Sequence, residues 1–198
     1  MDSNRNLLLP TLSRTSPVTF GILLLINCIL YPSFNSFYIF IMYFIIMFLN
    51  YCEKVFIFKP LYNFFGKKTL PILNRGMRPD NANSCHFILD GKDSTTFGMP
   101  SGHSQLAWTL ATYIILKIIY NFKNEKDELN KPNLALSYIW IIISCILVIG
   151  CAGYISYSRV YIEGCHTIQQ VTIGGLFGIC GGFIIYYFEN DIKNALQL

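Results

Sequence analysis

The sequence predicts an all-α fold: a polytopic membrane bundle of about six transmembrane helices, or five, forming a single domain over residues 1–198. Three observations carry this prediction. Hydrophobic side chains make up 53% of the chain and aromatics 16%, while charged residues are held to 13%, against about 25% in soluble domains. Four stretches, Thr15–Cys52, Ser94–Leu116, Pro132–Ser158 and Gly164–Phe188, contain no Asp, Glu, Lys or Arg and together make up more than half of the chain. A helix needs about 20 apolar residues to cross the hydrocarbon core, and in lipid a helix satisfies its own backbone.

The first uncharged stretch is too long for one helix. Pro32, Ser33, Asn35 and Ser36 break it in the middle, so it is expected to form a tight helical hairpin. Pro32-Ser33-Phe34-Asn35 offers no small-x-small cleavage site, which favours an uncleaved helix over a signal peptide. Val55–Gly66 is aromatic but interrupted by Lys59-Pro60, and is expected as a short third span, a re-entrant piece or an interfacial helix. Residues 67–100 turn polar, punctuated by Pro71, Gly76, Pro79 and Gly91, and are expected as a loop. Helices follow over Gly102–Tyr120, Leu134–Tyr157 and Ile168–Phe188, with Asn121–Asn133 as a charged connector. Gly174, Gly178 and Gly182 recur every four residues, placing them on one helix face as a packing seam.

The net charge is +4, and the basic residues sit between apolar runs rather than in a stripe with aromatics. Nucleic acid is therefore not an expected partner, and the membrane is the solvent. The seven cysteines form no CxxC pair and lie mostly within apolar runs, which argues against a zinc site. Only Cys85 and Cys165 fall in polar stretches. They are expected as free thiols, with a disulfide between them as the alternative in an oxidising compartment.

Ionisable residues beside membrane helices point to function in a chain so poor in charge. Three clusters stand out: Lys67-Lys68 through Arg75 to Arg78-Pro79; Gly98-Met99-Pro100-Ser101-Gly102-His103-Ser104; and Ser158-Arg159-Val160-Tyr161 with His166 and Gln170. The second opens a helix, where free backbone N–H groups and the helix dipole favour an anion such as phosphate. His103 lies in that first turn, placed to shuttle a proton. Gln170, four residues after His166, shares its helical face and can fix the imidazole tautomer. Two helices separate the second cluster from the third, so all three meet at one face of the membrane. Cations, two histidines and a helix N-terminus without paired carboxylates suit a metal-free phosphoryl-transfer site.

At these positions the chain resembles the type 2 phosphatidic acid phosphatase superfamily of lipid phosphatases, whose signature runs Lys-x6-Arg-Pro, Pro-Ser-Gly-His, then Ser-Arg-x5-His-x3-Asp. Pro100-Ser101-Gly102-His103 matches the second part, Ser158-Arg159 with His166 resembles the third, and Arg78-Pro79 resembles the end of the first. The surroundings of the second and third parts look most like the dolichyl diphosphate phosphatase branch, where Gln likewise stands for the last acid. The resemblance implies that His166 is the nucleophile forming a phosphohistidine and that His103 protonates the departing oxygen. It implies further that Lys68, Arg78, Ser101, Gly102 and Arg159 hold the phosphoryl oxygens, with no cofactor and no metal. The substrate implied is a polyprenyl (dolichyl) diphosphate; a phosphatidate phosphatase, or a silent protein keeping the fold, is the alternative. The oligomeric state is left open.

Three departures from the signature are present. Counting back from Arg78, the lysine position holds Pro71, while counting forward from Lys68 reaches Arg75, which no Pro follows. Six residues rather than five separate Arg159 from His166, so a bulge is expected near Gly164. Gln170 accepts a hydrogen bond from the imidazole but brings no charge. With six spans, the face away from the site would carry Arg5, Arg14, Lys54, Lys123, Lys126, Lys131 and Lys193, against Lys67, Lys68, Arg75, Arg78, Lys92 and Arg159 on the site face. The positive-inside tendency, after setting aside the phosphate ligands, then turns the site away from the cytosol, and the resemblance implies the endoplasmic reticulum with a lumenal site.

Overall fold

Pro32 cannot continue a helix, and the chain turns there. In a computed structural model, which describes residues 8–65, 76–80, 82, 97–128 and 134–196, α1 (Leu8–Leu30) is followed after three residues by α2 (Phe34–Cys52). Ser33 caps α2 by accepting from the Ser36 amide at 3.2 Å, and the Ser36 hydroxyl donates to Tyr31 O at 2.8 Å. The serines thus satisfy the free backbone groups that a helix start and a helix end would otherwise leave exposed to lipid.

Val55–Gly66, expected as a short third span, a re-entrant piece or an interfacial helix, instead continues α2 as far as Phe64. The helix passes through a π-helical segment, Glu53–Phe58, into α3 (Lys59–Phe64) without a turn. Pro60 stands at the start of α3, directly after the π-helical segment. Among the described residues, four rods are long and apolar enough to cross a membrane: Thr11–Leu30, Phe34–Phe64, Leu136–Ile162 and Ile168–Ala195. A fifth, α4 (Gly102–Glu128), is 27 residues long, about 40 Å by the helical rise, and runs past the expected end at Tyr120. The first residues of the expected charged connector therefore extend a helix. Next come α5 (Leu134–Tyr157), a second π-helical segment, Ser158–Ile162, and α6 (Ile168–Ala195).

The more polar α4 lies inside the bundle. Its Leu106, Leu110 and Tyr113 pack with Tyr38, Tyr43 and Ile46 of α2 and Ile185 of α6, while Ala107 and Ala111 pack against Ala152 and Ile155 of α5. The glycine seam of α6 faces α4. A Cβ on Gly174 would sit 2.4 Å from Ser101 O, and one on Gly178 would sit 2.3 Å from Gln105 O. At the far end of the bundle Lys117 pairs with buried Glu189 at 2.8 Å, and Tyr113 Oη donates to the same carboxylate. Outward positions are apolar: Trp140, Ile146 and Leu147 of α5 are each more than 60% exposed, as lipid-facing side chains are.

Five rods place the start of α1, the end of α2, the start of α4, the end of α5 and the start of α6 at one end of the bundle. Arg14 and Lys54 are therefore on the site side, opposite to where six spans would put them. The charge count drawn from the sequence loses its basis, since two of the residues assigned to the far face belong to the near one.

Candidate active site

Gly98-Met99-Pro100-Ser101 leads into α4 with the backbone tightly held. The Ser101 amide donates to Gln170 O at 3.0 Å, and the Gly98 amide donates to Gly76 O at 2.9 Å. Residues Met77 and Phe97 pair as an isolated antiparallel bridge, so the two described ends of the long loop meet beside the start of α6. A Cβ on Gly102 would come within 2.8 Å of Asn50 Oδ1. Ser101 is fully buried, and its hydroxyl has no hydrogen-bond partner among the described residues.

His103 Nε2 lies 3.0 Å from Arg14 O. A carbonyl only accepts, so Nε2 carries the proton and Nδ1 is the nitrogen left for a ligand. Arg14 belongs to α1, and its guanidinium also reaches Glu163 at 3.5 Å.

The approach to His166 explains the extra residue in the third motif. The chain from Ser158 to Ile162 is wound as a π-helix, which accommodates one residue more than an α turn, and Gly164 follows with φ +64°, a conformation glycine adopts without strain. The Cys165 and His166 amides both donate to Arg159 O, at 2.9 and 3.1 Å. Thr167 and Gln170 then form a capping box at the start of α6.

Gln170 does more than cap. Its Nε2 donates to Met77 O at 2.9 Å, which fixes the amide so that Oε1 faces His166 Nδ1, also at 2.9 Å. Nδ1 is therefore the protonated nitrogen and Nε2 carries the lone pair. Burial holds the His166 imidazole well below its ordinary value, and the positive charges of Arg78 and Arg159, with Lys54, push in the same direction. It is a neutral imidazole among cations.

Arg159 is fully buried and bonds through Nη1 to Glu163 Oε2, which also faces Arg14; Ser158 Oγ donates to Glu163 Oε1. Glu163 is thus a buried support for two arginines. Even so, Arg159 Nε and Nη2, like Arg78 Nε and Nη1, have no hydrogen-bond partner among the described residues. Four buried cationic N–H nitrogens and the Ser101 hydroxyl stand without acceptors, an arrangement that costs free energy unless an anion receives them.

Of the residues singled out from the sequence, Arg78, Ser101, Gly102, His103, Arg159, His166 and Gln170 meet at this end of the bundle. Lys67, Lys68 and Arg75 lie outside the described residues. Cys165 is disulfide-bonded, not a free thiol as expected; Cys85 lies outside the described residues. The sequence reading missed Arg14 and the supporting role of Glu163. A single Arg ahead of an apolar run looks like a membrane-surface anchor, and only the fold carries it to His103.

The sequence profile of the PAP2 superfamily matches residues 39–193. Among curated proteins the chain is 34% identical over 102 residues to Dolichyldiphosphatase 1 of Callithrix jacchus and 30% identical over 102 residues to that of Homo sapiens, in each case 52% of this chain and 40% of the relative. It is 36% identical over 91 residues to Dolichyldiphosphatase 1 of Dictyostelium discoideum, covering 46% of this chain and 35% of that protein. The matched stretch thus spans well under half the length of these relatives. No solved structure matches the chain.

Proposed function

Because the chain belongs to the PAP2 superfamily, we propose that it is a membrane phosphatase that hydrolyses a polyprenyl diphosphate, of the dolichyl type, to the monophosphate. The observation that carries this reading is the set of buried, unpartnered donors of Arg78, Arg159 and Ser101. Fixed donors aimed at one point are what a transferring phosphoryl group needs, since its charge spreads over the oxygens between the attacking and leaving atoms.

In this mechanism His166 Nε2 attacks the terminal phosphorus. The N–P bond forms, the bond to the bridging oxygen breaks, and His103, protonated at Nδ1, gives that oxygen its proton. Polyprenyl monophosphate leaves. Water, deprotonated by His103, then attacks the phosphohistidine and releases phosphate. Gln170 holds the nucleophile's tautomer throughout, and positive charge is supplied by side chains, so the reaction needs no metal.

In-line displacement puts the departing lipid on the His103 side. One turn along the same face of α4, Ala107 and Ala111 line a cavity of about 330 Å³ shared with Phe20 and Leu23 of α1 and Leu147 and Cys151 of α5. Its walls are apolar, as an isoprenoid chain requires. The disulfide at Cys165, next to the nucleophile, supports a site in an oxidising compartment such as the lumen of the endoplasmic reticulum.

The test is phosphate release from dolichyl diphosphate and from phosphatidate by purified protein, with chelator present. The proposal expects faster release from the diphosphate, undiminished by chelation and lost in His166→Ala. Preference for phosphatidate removes the substrate assignment, and turnover that survives His166→Ala removes the nucleophile.

A further inference from the structure

Counting back from Arg78, Pro71 stands where the family signature has its lysine, and Lys68 lies outside the described residues; the fold offers a further cation. Both π-helical segments end at the site. One, Ser158–Ile162, carries Arg159; the other, Glu53–Phe58, carries Lys54. A π turn is a rare insertion that recurs where a side chain must be aimed for function.

Lys54 is bracketed on its own helix face by two residues that touch the Met99–Gly102 turn. One turn before it, buried Asn50 lies against Gly102 and donates through Nδ2 to Gln105 Oε1 at 2.6 Å. One turn after it, buried Phe58 packs on Met99. The neighbouring Glu53 accepts from Gln105 Nε2 at 3.1 Å, so this part of the rod is clamped to the first turn of α4. Residues four apart share a helix face, which leaves Lys54 facing the same turn between its two brackets. It is half-buried, its side chain makes no hydrogen bond or ion pair among the described residues, and its charge is felt by His103 and His166.

We propose that Lys54, delivered by the π-helical turn of the α2 rod, is a phosphate-binding residue of this site and fills the role that the family signature gives to the lysine of its first motif. The inference rests on the phosphatase reading and adds to it a ligand from an element outside the three motifs. The ammonium, a compact point charge with three donors, completes with Arg78 and Arg159 a cradle for a diphosphate head group.

Inorganic phosphate is the probe. Its inhibition constant against substrate hydrolysis, and the rise in thermal midpoint it gives the protein, are measured for the parent, Lys54→Gln, Lys54→Arg and Lys68→Gln. The expected result is an inhibition constant raised about tenfold or more in Lys54→Gln, the scale of one lost charge-assisted hydrogen bond. Its phosphate-induced stabilisation should shrink likewise, and Lys54→Arg should stay within about threefold of the parent. A lysine that only props the helix would lower the midpoint without phosphate and leave phosphate binding unchanged, which overturns the proposal. It is also overturned if Lys68→Gln alone weakens phosphate. A parent that hydrolyses substrate while Lys54→Gln matches it removes Lys54 only; a parent that neither turns over nor is stabilised by phosphate removes the phosphatase reading as well.

Discussion

At the scale of single residues, Gln170 shows why an amide can stand where the family signature has a carboxylate. Its Oε1 orients the His166 imidazole while its Nε2 donates to Met77 O, a bond no carboxylate can make because it has no proton to give. Gln170→Ala should lower kcat by about 10²-fold with KM nearly unchanged, as loss of an orienting partner does. Gln170→Glu should show the opposite split. The imidazole keeps an acceptor, but a negative charge then faces the carbonyls of Gly76 and Met77 next to Arg78, so KM should rise more than kcat falls. Steady-state kinetics of the two variants separate these outcomes. His166 allows a direct titration. Since burial and nearby cations depress its folded value, it stays neutral through pH 6.5, whereas the unfolded chain takes up a proton there. Its contribution is therefore complete above about pH 7 and is lost as pH falls below about 6.5. Histidine NMR of the parent should show its ring titrating well below 6.5, and Arg78→Gln should move that titration upward.

Among the helical elements, the close contact of α4 and α6 is set by glycines that no larger residue can replace. Gly178→Ala would push a Cβ against backbone, Gln105 O, which has no rotamer by which to give way, and should cost about 1–3 kcal/mol. Gly150 and Gly153 of α5 have nothing within 4 Å of a built Cβ, so Ala there should leave stability unchanged or raise it by up to about 1 kcal/mol. Thermal unfolding in detergent compares the three. The apolar cavity between α1, α4 and α5 makes a further prediction. Cys151 is exposed on its wall, and Cys151→Trp should raise KM for a long polyprenyl diphosphate about tenfold while leaving a short, water-soluble isoprenyl diphosphate within about twofold. Equal effects on both substrates would place the chain elsewhere.

For the whole molecule, the path of the chain decides which ends face the same way. With α2 and α3 as one rod, the turn at Tyr31–Ser33 and the end of α4 share one membrane face, and the start of α4 shares the other with His166. Single cysteines at Ser33 and Asn124, in a background without the free native thiols, should react with an impermeant maleimide from the same side of sealed vesicles, and one at Asp80 from the opposite side. Labelling of Ser33 and Asp80 from one side would contradict the five-rod path.

The membrane class, the hairpin break at Pro32 and the place of each long helix are legible in the sequence because they depend on local quantities: an apolar run, a proline, a serine cap. The same holds for Pro100-Ser101-Gly102-His103 and for the pairing of His166 with Gln170, since a helix start and an i,i+4 spacing follow from chain geometry alone. What only the tertiary structure decided is which charges share the site. Arg14 and Lys54 are isolated cations on separate helices, and nothing near them in sequence marks them. Their position depends on how many times the chain crosses the membrane, and that number turned on whether the chain at Glu53–Phe58 breaks or winds through as a π-helix. One extra residue in a continuous rod, held because Asn50 and Glu53 bond to Gln105, leaves both cations at the end of the bundle that holds His103 and His166. Such a choice is settled by contacts between helices and not by the propensities of any one segment.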